Sequence, residues 1–160
     1  MALIIEDGTI VANANSYVTD AEFTDYADSR LIDYPLTPEA REPLIIKAMD
    51  YLETQSYAGN RTDGAEQLFS FPRVGVWAND RSIASDEVPR EIKNAQIEAA
   101  FELSTQELLI NSSVQNVQRE KLDVLEVSYF KGGSSPKIRL DKVNRWLAPF
   151  LVDTNELVRT

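Results

Sequence analysis

The residues with the widest choice of chemistry are four arginines, Arg61, Arg73, Arg81 and Arg90, interleaved with Phe69, Phe71 and Trp77. Aromatic rings set among arginines can form a stacking platform for single-stranded nucleic acid, since every base offers a π-face and every nucleotide a phosphate. The same set has a structural use. Phe69 and Phe71 can pin the segment to a core while the arginines pair with neighbouring carboxylates. Charge favours the structural use: 16 Lys and Arg against 26 Asp and Glu leave the chain at −10, with a pI near 4.5. So acidic a protein repels phosphate unless its cations gather on one face, and the sequence shows no convincing gathering.

Catalytic chemistry is hard to place. The chain has no cysteine, which removes thiolate nucleophiles, zinc–thiolate sites and disulfides. It has no histidine, which removes the commonest general base and transition-metal ligand. The six glycines do not form a phosphate loop, and none precedes Lys-Ser or Lys-Thr. The carboxylates form no calcium-loop or paired-acid motif, and Glu39 near Glu42, or Asp141 beside Lys142, reads as a solvated helix face. The expectation is a protein that is not an enzyme, with no catalytic residue, metal or cofactor.

An apolar content of 43% and a charged content of 26% over 160 residues suit one soluble globular domain. No run approaches the length of a membrane span, and the acid at Glu6 and Asp7 is unlike a signal peptide. Asp7-Gly8 suggests a small hairpin or tight bend between Leu3-Ile4-Ile5 and Ile10-Val11. Thr19-Asp20-Ala21-Glu22 is a capping box, predicting a helix to about Ser29 with Phe23, Tyr26 and Ala27 on one side. A second helix starts at Thr37-Pro38, or near Arg41 if Pro43 breaks it, and buries Leu44, Ile45, Ala48, Met49 and Leu52. A third opens at Val88-Pro89 and carries Ile92, Ala95, Ala99 and Leu103 at helical spacing to about Leu109. A fourth spans about Leu140 to Leu147, with Val143, Trp146 and Leu147 toward a partner surface.

Between these, residues 56–87 have no sustained period and several turn signals (Gly59-Asn60, Asp63-Gly64, Asn79-Asp80), the pattern of a long contact-bearing loop. Leu125, Val127 and Tyr129 alternate with polar residues, predicting a strand that turns at Gly132-Gly133-Ser134-Ser135 and returns through Lys137-Ile138-Arg139. The fold class is therefore mainly α: a small bundle of about four helices with an inserted β-hairpin and extended terminal arms. One domain covers 1–151, holding the long loop 56–87 and the hairpin 117–139, and 152–160 is a polar tail.

The chain resembles a family of tailed-phage head–tail connector or adaptor proteins of the neck, also labelled DnaT-like single-stranded DNA-binding proteins. The likeness rests on the opening block from Met1 to Thr9 and on Val11-Ala12-Asn13-Ala14-Asn15-Ser16-Tyr17-Val18. Ala48-Met49-Asp50-Tyr51-Leu52, Phe71-Pro72-Arg73, Val88-Pro89, Lys93-Asn94-Ala95-Gln96, Glu120-Lys121-Leu122, Leu125-Glu126-Val127 and Trp146-Leu147-Ala148-Pro149-Phe150-Leu151 follow in order. The adaptor label implies a homo-oligomeric ring, dodecameric in the family, below the portal protein. It joins the DNA-filled head to a downstream stopper or tail-completion protein and lets genomic duplex pass without sequence-specific binding. Such a subunit is assembled in the host bacterial cytoplasm and resides in the virion neck, away from membranes. The other label implies a replication protein, and the net charge favours the adaptor. Carried onto this chain, the resemblance implies a portal-docking segment of Phe150, Leu151, Leu157, Val158 and Arg159. It also implies subunit or neck contacts at Arg61, Phe71, Arg73, Trp77, Lys131, Gly132, Gly133 and Lys137.

Overall fold

The structure is a computed structural model that describes residues 2–110, 118–122, 125–129 and 140–152, with 105–110 and the strands after them described by backbone alone. Among the described residues the fold is mainly α, four helices with short hairpins inserted between them. The first helix, α1 (Asp20–Asp28), begins at the expected capping box: the Glu22 amide donates to Thr19 Oγ1 at 3.1 Å and the Thr19 amide to Glu22 Oε2 at 2.8 Å. It buries Phe23, Tyr26 and Ala27, and it ends where Leu31 turns left-handed (φ 54°) and the Ile32 amide returns to the Ala27 carbonyl at 3.1 Å.

Helix α2 (Pro38–Glu53) starts at Pro38 and continues through Pro43. The Ala40 and Arg41 amides already donate to the Thr37 carbonyl, so the first turn is formed upstream of Arg41. Ile45, Ala48, Met49 and Leu52 are buried as their spacing requires, with Leu44 half-buried beside them. Helix α3 (Arg90–Ile110) lies against α2 and presents Ile92, Ala95, Ile97, Ala99 and Ala100 to the core. Its alanines allow close backbone approach. Gln96, fully buried, joins three segments there: it accepts from the Tyr17 amide at 3.0 Å and donates to Ser16 Oγ and the Ile45 carbonyl, each at 3.0 Å.

Helix α4 (Asp141–Leu147) packs on α3 through Val143 and Leu147 and runs into a 3₁₀ turn, Ala148–Phe150. Trp146 is half-buried against the same core. Two strands named β5 (Gln118–Leu122) and β6 (Leu125–Tyr129) form an antiparallel hairpin in the register Gln118↔Tyr129 to Leu122↔Leu125. The strand at Leu125–Tyr129 is as predicted, and its described partner, Gln118–Leu122, lies upstream of it; the expected turn at Gly132-Gly133-Ser134-Ser135 lies outside the described residues. The charged run Arg119-Glu120-Lys121 hid a strand whose ladder is made by backbone groups. The expected return through 137–139 lies outside the described residues.

The amino-terminal segment also differs from a hairpin. Glu6, 3% exposed, gathers the chain around its carboxylate, accepting from the amides of Gly8 at 2.8 Å, Ile10 at 3.0 Å and Val11 at 2.7 Å. The bend is thus closed by a side chain, and Ile5 bridges to Ser16 in place of Ile10 or Val11.

Candidate functional site

The long loop is a built structure. Inside it β1 (Asn60–Arg61) pairs with β2 (Arg73–Val74), and β3 (Trp77–Ala78) with β4 (Arg81–Ser82). Asn79 and Asp80 link the second pair with φ of 51° and 60°, the left-handed pair of a two-residue hairpin turn. Few long apolar periods are needed because polar side chains hold the backbone.

Arg73 is the centre of that framework. It follows the cis Phe71–Pro72 peptide and is 8% exposed. Its guanidinium donates to four backbone carbonyls: Nε to Ala58 at 2.7 Å, Nη1 to Ser70 at 3.1 Å, and Nη2 to Tyr57 at 3.1 Å and Gly59 at 2.6 Å. The expected carboxylate partner is replaced by carbonyl dipoles, whose combined field stabilises the buried charge. Burial, then the nearby Arg61, push its pKa below the usual arginine value, and a guanidinium stays protonated at neutral pH.

Around Arg73, Glu53 at the end of α2 accepts from the Ser70 amide at 3.0 Å, Ser70 Oγ at 2.9 Å and the Tyr17 hydroxyl at 3.2 Å. Arg61 lies 3.8 Å from the same carboxylate. The Tyr17 hydroxyl also accepts from the Phe71 amide at 2.9 Å, and burial, then the Glu53 charge, hold that phenol well above its ordinary pKa. Gln67, 2% exposed, donates to the Phe69 and Pro72 carbonyls at 2.8 Å each and accepts from the Asp63 amide at 3.2 Å. Sequence reasoning missed Tyr17, Glu53, Gln67 and Glu6 as framework residues. A polar residue in an aperiodic segment has no spacing that marks it as buried.

The carboxy-terminal end of the domain meets the loop here. Ala58 donates to the Phe150 carbonyl at 2.8 Å, the Val152 amide to Ser56 at 3.0 Å, and Tyr57 bridges to Leu151. The ring of Phe71 stands 6.0 Å from Phe150 and 5.2 Å from Tyr57. Residues assigned to two separate contact surfaces, Phe71 and Arg73 on one and Phe150 and Leu151 on the other, are therefore brought together. Phe71 and Phe150 are both 0% exposed, with their side chains in this chain's own core, the use as a pin that the sequence favours for Phe71. Arg73 is likewise spent on the backbone, and Leu151 is half-buried. Arg61 keeps 39% of its side chain exposed. The loop presents Trp77, 68% exposed, together with Leu68 and Val74. Lys131, Gly132, Gly133, Lys137, Leu157, Val158 and Arg159 lie outside the described residues.

The remaining cations show the same economy. Arg41 forms a bidentate pair with Asp20 at 2.6 Å, Lys93 meets Glu22 at 2.8 Å, and Arg81 meets Glu87 at 2.8 Å. Lys142 lies 3.7 Å from Glu98, while Arg30 stacks 3.5 Å above the Tyr26 ring. Arg90 is exposed at the start of α3. The pairs depress the carboxyls they touch: hydrogen bonding to Arg41 lowers Asp20, and hydrogen bonding to Arg81 lowers Glu87. Among the described residues no group of three or more acidic side chains is placed to hold a metal ion, and no helix is long and apolar enough to cross a membrane.

These features define a mainly helical acidic protein whose long loop is a hydrogen-bonded platform tied to the segment after α4. The whole chain, residues 1–160, matches the family described as "Putative DnaT-like ssDNA binding protein", and it belongs to that family. No curated protein and no solved structure matches it.

Proposed function

We propose that the chain is a structural subunit of a tailed-phage neck and not an enzyme: one member of a homo-oligomeric ring between portal and tail, through which genomic DNA passes. The observation that carries the assembly part is the use of the loop's arginines. Arg61 and Arg81 face Glu53 and Glu87, and Arg73 is bound to four carbonyls. At a net charge of −10, such a surface suits a channel wall past which a duplex slides, because it gains little from binding phosphates. A hydrogen-bonded loop that exposes Trp77, Leu68 and Val74 suits protein contact, where aromatic anchors contribute most. The neck itself is proposed on the sequence resemblance, and with it the portal and the downstream neck component as partners.

The family's description supports a second reading, single-stranded DNA binding, and speaks for it rather than for the neck. Among the described residues Trp77 is the ring best exposed for stacking on a base, and Arg90 follows in the next segment. Titrating a labelled single-stranded oligonucleotide with the purified chain at low and moderate salt separates the two. The assembly reading expects no saturable change in anisotropy at micromolar protein. Saturable binding that weakens steeply with salt, and that Trp77→Ala removes, would establish the second reading in its place.

A further inference from the structure

Helix α1 ends on a leucine where helices ordinarily place glycine or asparagine. Leu31 stands in the left-handed conformation at φ 54°, which crowds any side chain that has a Cβ, and it is 95% exposed. Single exposed leucines are ordinary. One that is both strained and bare gains nothing from its own fold, and strained residues persist where a site is used. Leu36, 88% exposed, stands with it. Together with Asp28, Ile32, Asp33 and Tyr34 they line an open groove of about 350 Å³. The groove is held in place: the Ile32 amide donates to the Ala27 carbonyl at 3.1 Å and the Tyr34 hydroxyl to Asp28 Oδ1 at 2.9 Å. Ile32 also lines a second hollow, with Glu98, Phe101 and Lys142, so helices α3 and α4 back it.

The segment Arg30-Leu31-Ile32-Asp33 is complementary to itself. Turned end for end about a two-fold axis between Leu31 and Ile32, two copies set base against acid at both ends and apolar against apolar between. Laid in the same direction, they set like charges together. Both charges are available. Arg30 is fixed at the lip, stacked 3.5 Å above the Tyr26 ring and bonded to the Tyr26 carbonyl and Ser29 Oγ. Neither it nor the exposed Asp33 forms an ion pair among the described residues.

We propose that two copies of the chain pair here, Leu31 and Leu36 of each covering the groove of the other, with Arg30 of each beside Asp33 of the other. Charge complementarity sets the direction of pairing as well as the partner. Such an isologous contact joins two copies and stops, whereas a ring needs one patch to meet a different one. The inference therefore goes beyond the ring reading and does not depend on it.

The chain has no cysteine, so a single introduced one reports on this contact. Leu31→Cys places a thiol beside the proposed axis, within disulfide reach of its copy. Under mild oxidation it is expected to give a covalent dimer, while Leu68→Cys, at an exposed leucine of the long loop, stays largely monomeric. Sedimentation velocity of the unmodified chain over a range of concentrations should show a monomer–dimer equilibrium. Leu31→Asn brings a residue that tolerates the left-handed backbone. It should keep or raise the melting midpoint and still weaken pairing about tenfold or more, which separates a lost contact from a lost fold. Asp33→Arg or Arg30→Asp should each weaken pairing several-fold, and the two together should restore it, since the charge pairs re-form in reverse. Cross-linking of Leu31→Cys no faster than that of Leu68→Cys would overturn the proposal, as would a wild type that stays monomeric or a dimer indifferent to these variants. If larger assemblies form, the cross-link decides: pairs joined through position 31 support the contact, and their absence overturns it. Each of these outcomes leaves the ring reading to its own test.

Discussion

Replacing Arg73 with lysine keeps the charge but removes the fork. The guanidinium makes four bonds, at 2.7, 3.1, 3.1 and 2.6 Å, to carbonyls from two stretches of chain, residues 57–59 and Ser70. An ammonium on a shorter, flexible stem can serve one or two of them. Hydrogen bonds to a charged group contribute about 1.5–3 kcal/mol each, and an acceptor left buried costs about 1–3 kcal/mol. The desolvation of the guanidinium offsets part of that gain. With two or three bonds lost, Arg73→Lys should destabilise the protein by about 3 kcal/mol, a large share of the roughly 5–15 kcal/mol typical of a domain. Urea unfolding followed by tryptophan fluorescence and circular dichroism measures it, with Arg81→Lys as control. The exposed Arg81–Glu87 pair should be worth about 1 kcal/mol or less. A loss below about 1 kcal/mol for Arg73→Lys, equal to that of the control, would refute the claim that carbonyl capture by Arg73 holds the loop.

Gly8 should not tolerate alanine. Its φ is +112°, and a Cβ would stand 2.0 Å from the Asp86 carbonyl oxygen, so Gly8→Ala should lower the melting midpoint sharply by lifting the amino-terminal bend off residues 86–87; an unchanged midpoint contradicts that contact. The Asp20–Arg41 pair predicts an acid-side pH dependence. Asp20 has a folded pKa below the ordinary aspartate value of 3.8, held down first by its hydrogen bonds to Arg41, so its stabilisation is present above that value and fades as pH falls through the lower folded one. Asp20→Asn should flatten the decline of melting temperature with acid, and an unaltered slope counts against the pair. Gln96→Leu leaves the Tyr17 amide, Ser16 Oγ and the Ile45 carbonyl without their buried partner. It should cost about 2–4 kcal/mol in urea unfolding, against near neutrality if water replaces the amide.

The helices were legible because their signals are local. The capping box at Thr19, the proline at Pro38 and the apolar spacing through α2 and α3 each act within a turn or two of the residues that encode them. The Asn79-Asp80 turn was legible for the same reason. The order of residues 56–87 was not legible, since it comes from Arg73, Gln67 and Glu53 reaching carbonyls and amides up to 17 residues away. Phe71 was legible as a pin to the core, but Phe150 illustrates the same limit: it becomes core through its tertiary meeting with Phe71, which in turn stands against Tyr57. The charged segment Arg119–Lys121 pairs through its backbone, which side-chain alternation could not report.

The most direct test of the assembly reading is electron microscopy of the purified chain mixed with the portal protein that this reading proposes as its partner. The account predicts a second ring of density stacked coaxially below the portal. A portal that gains no density, from a chain that binds single-stranded DNA tightly at moderate salt, would contradict it.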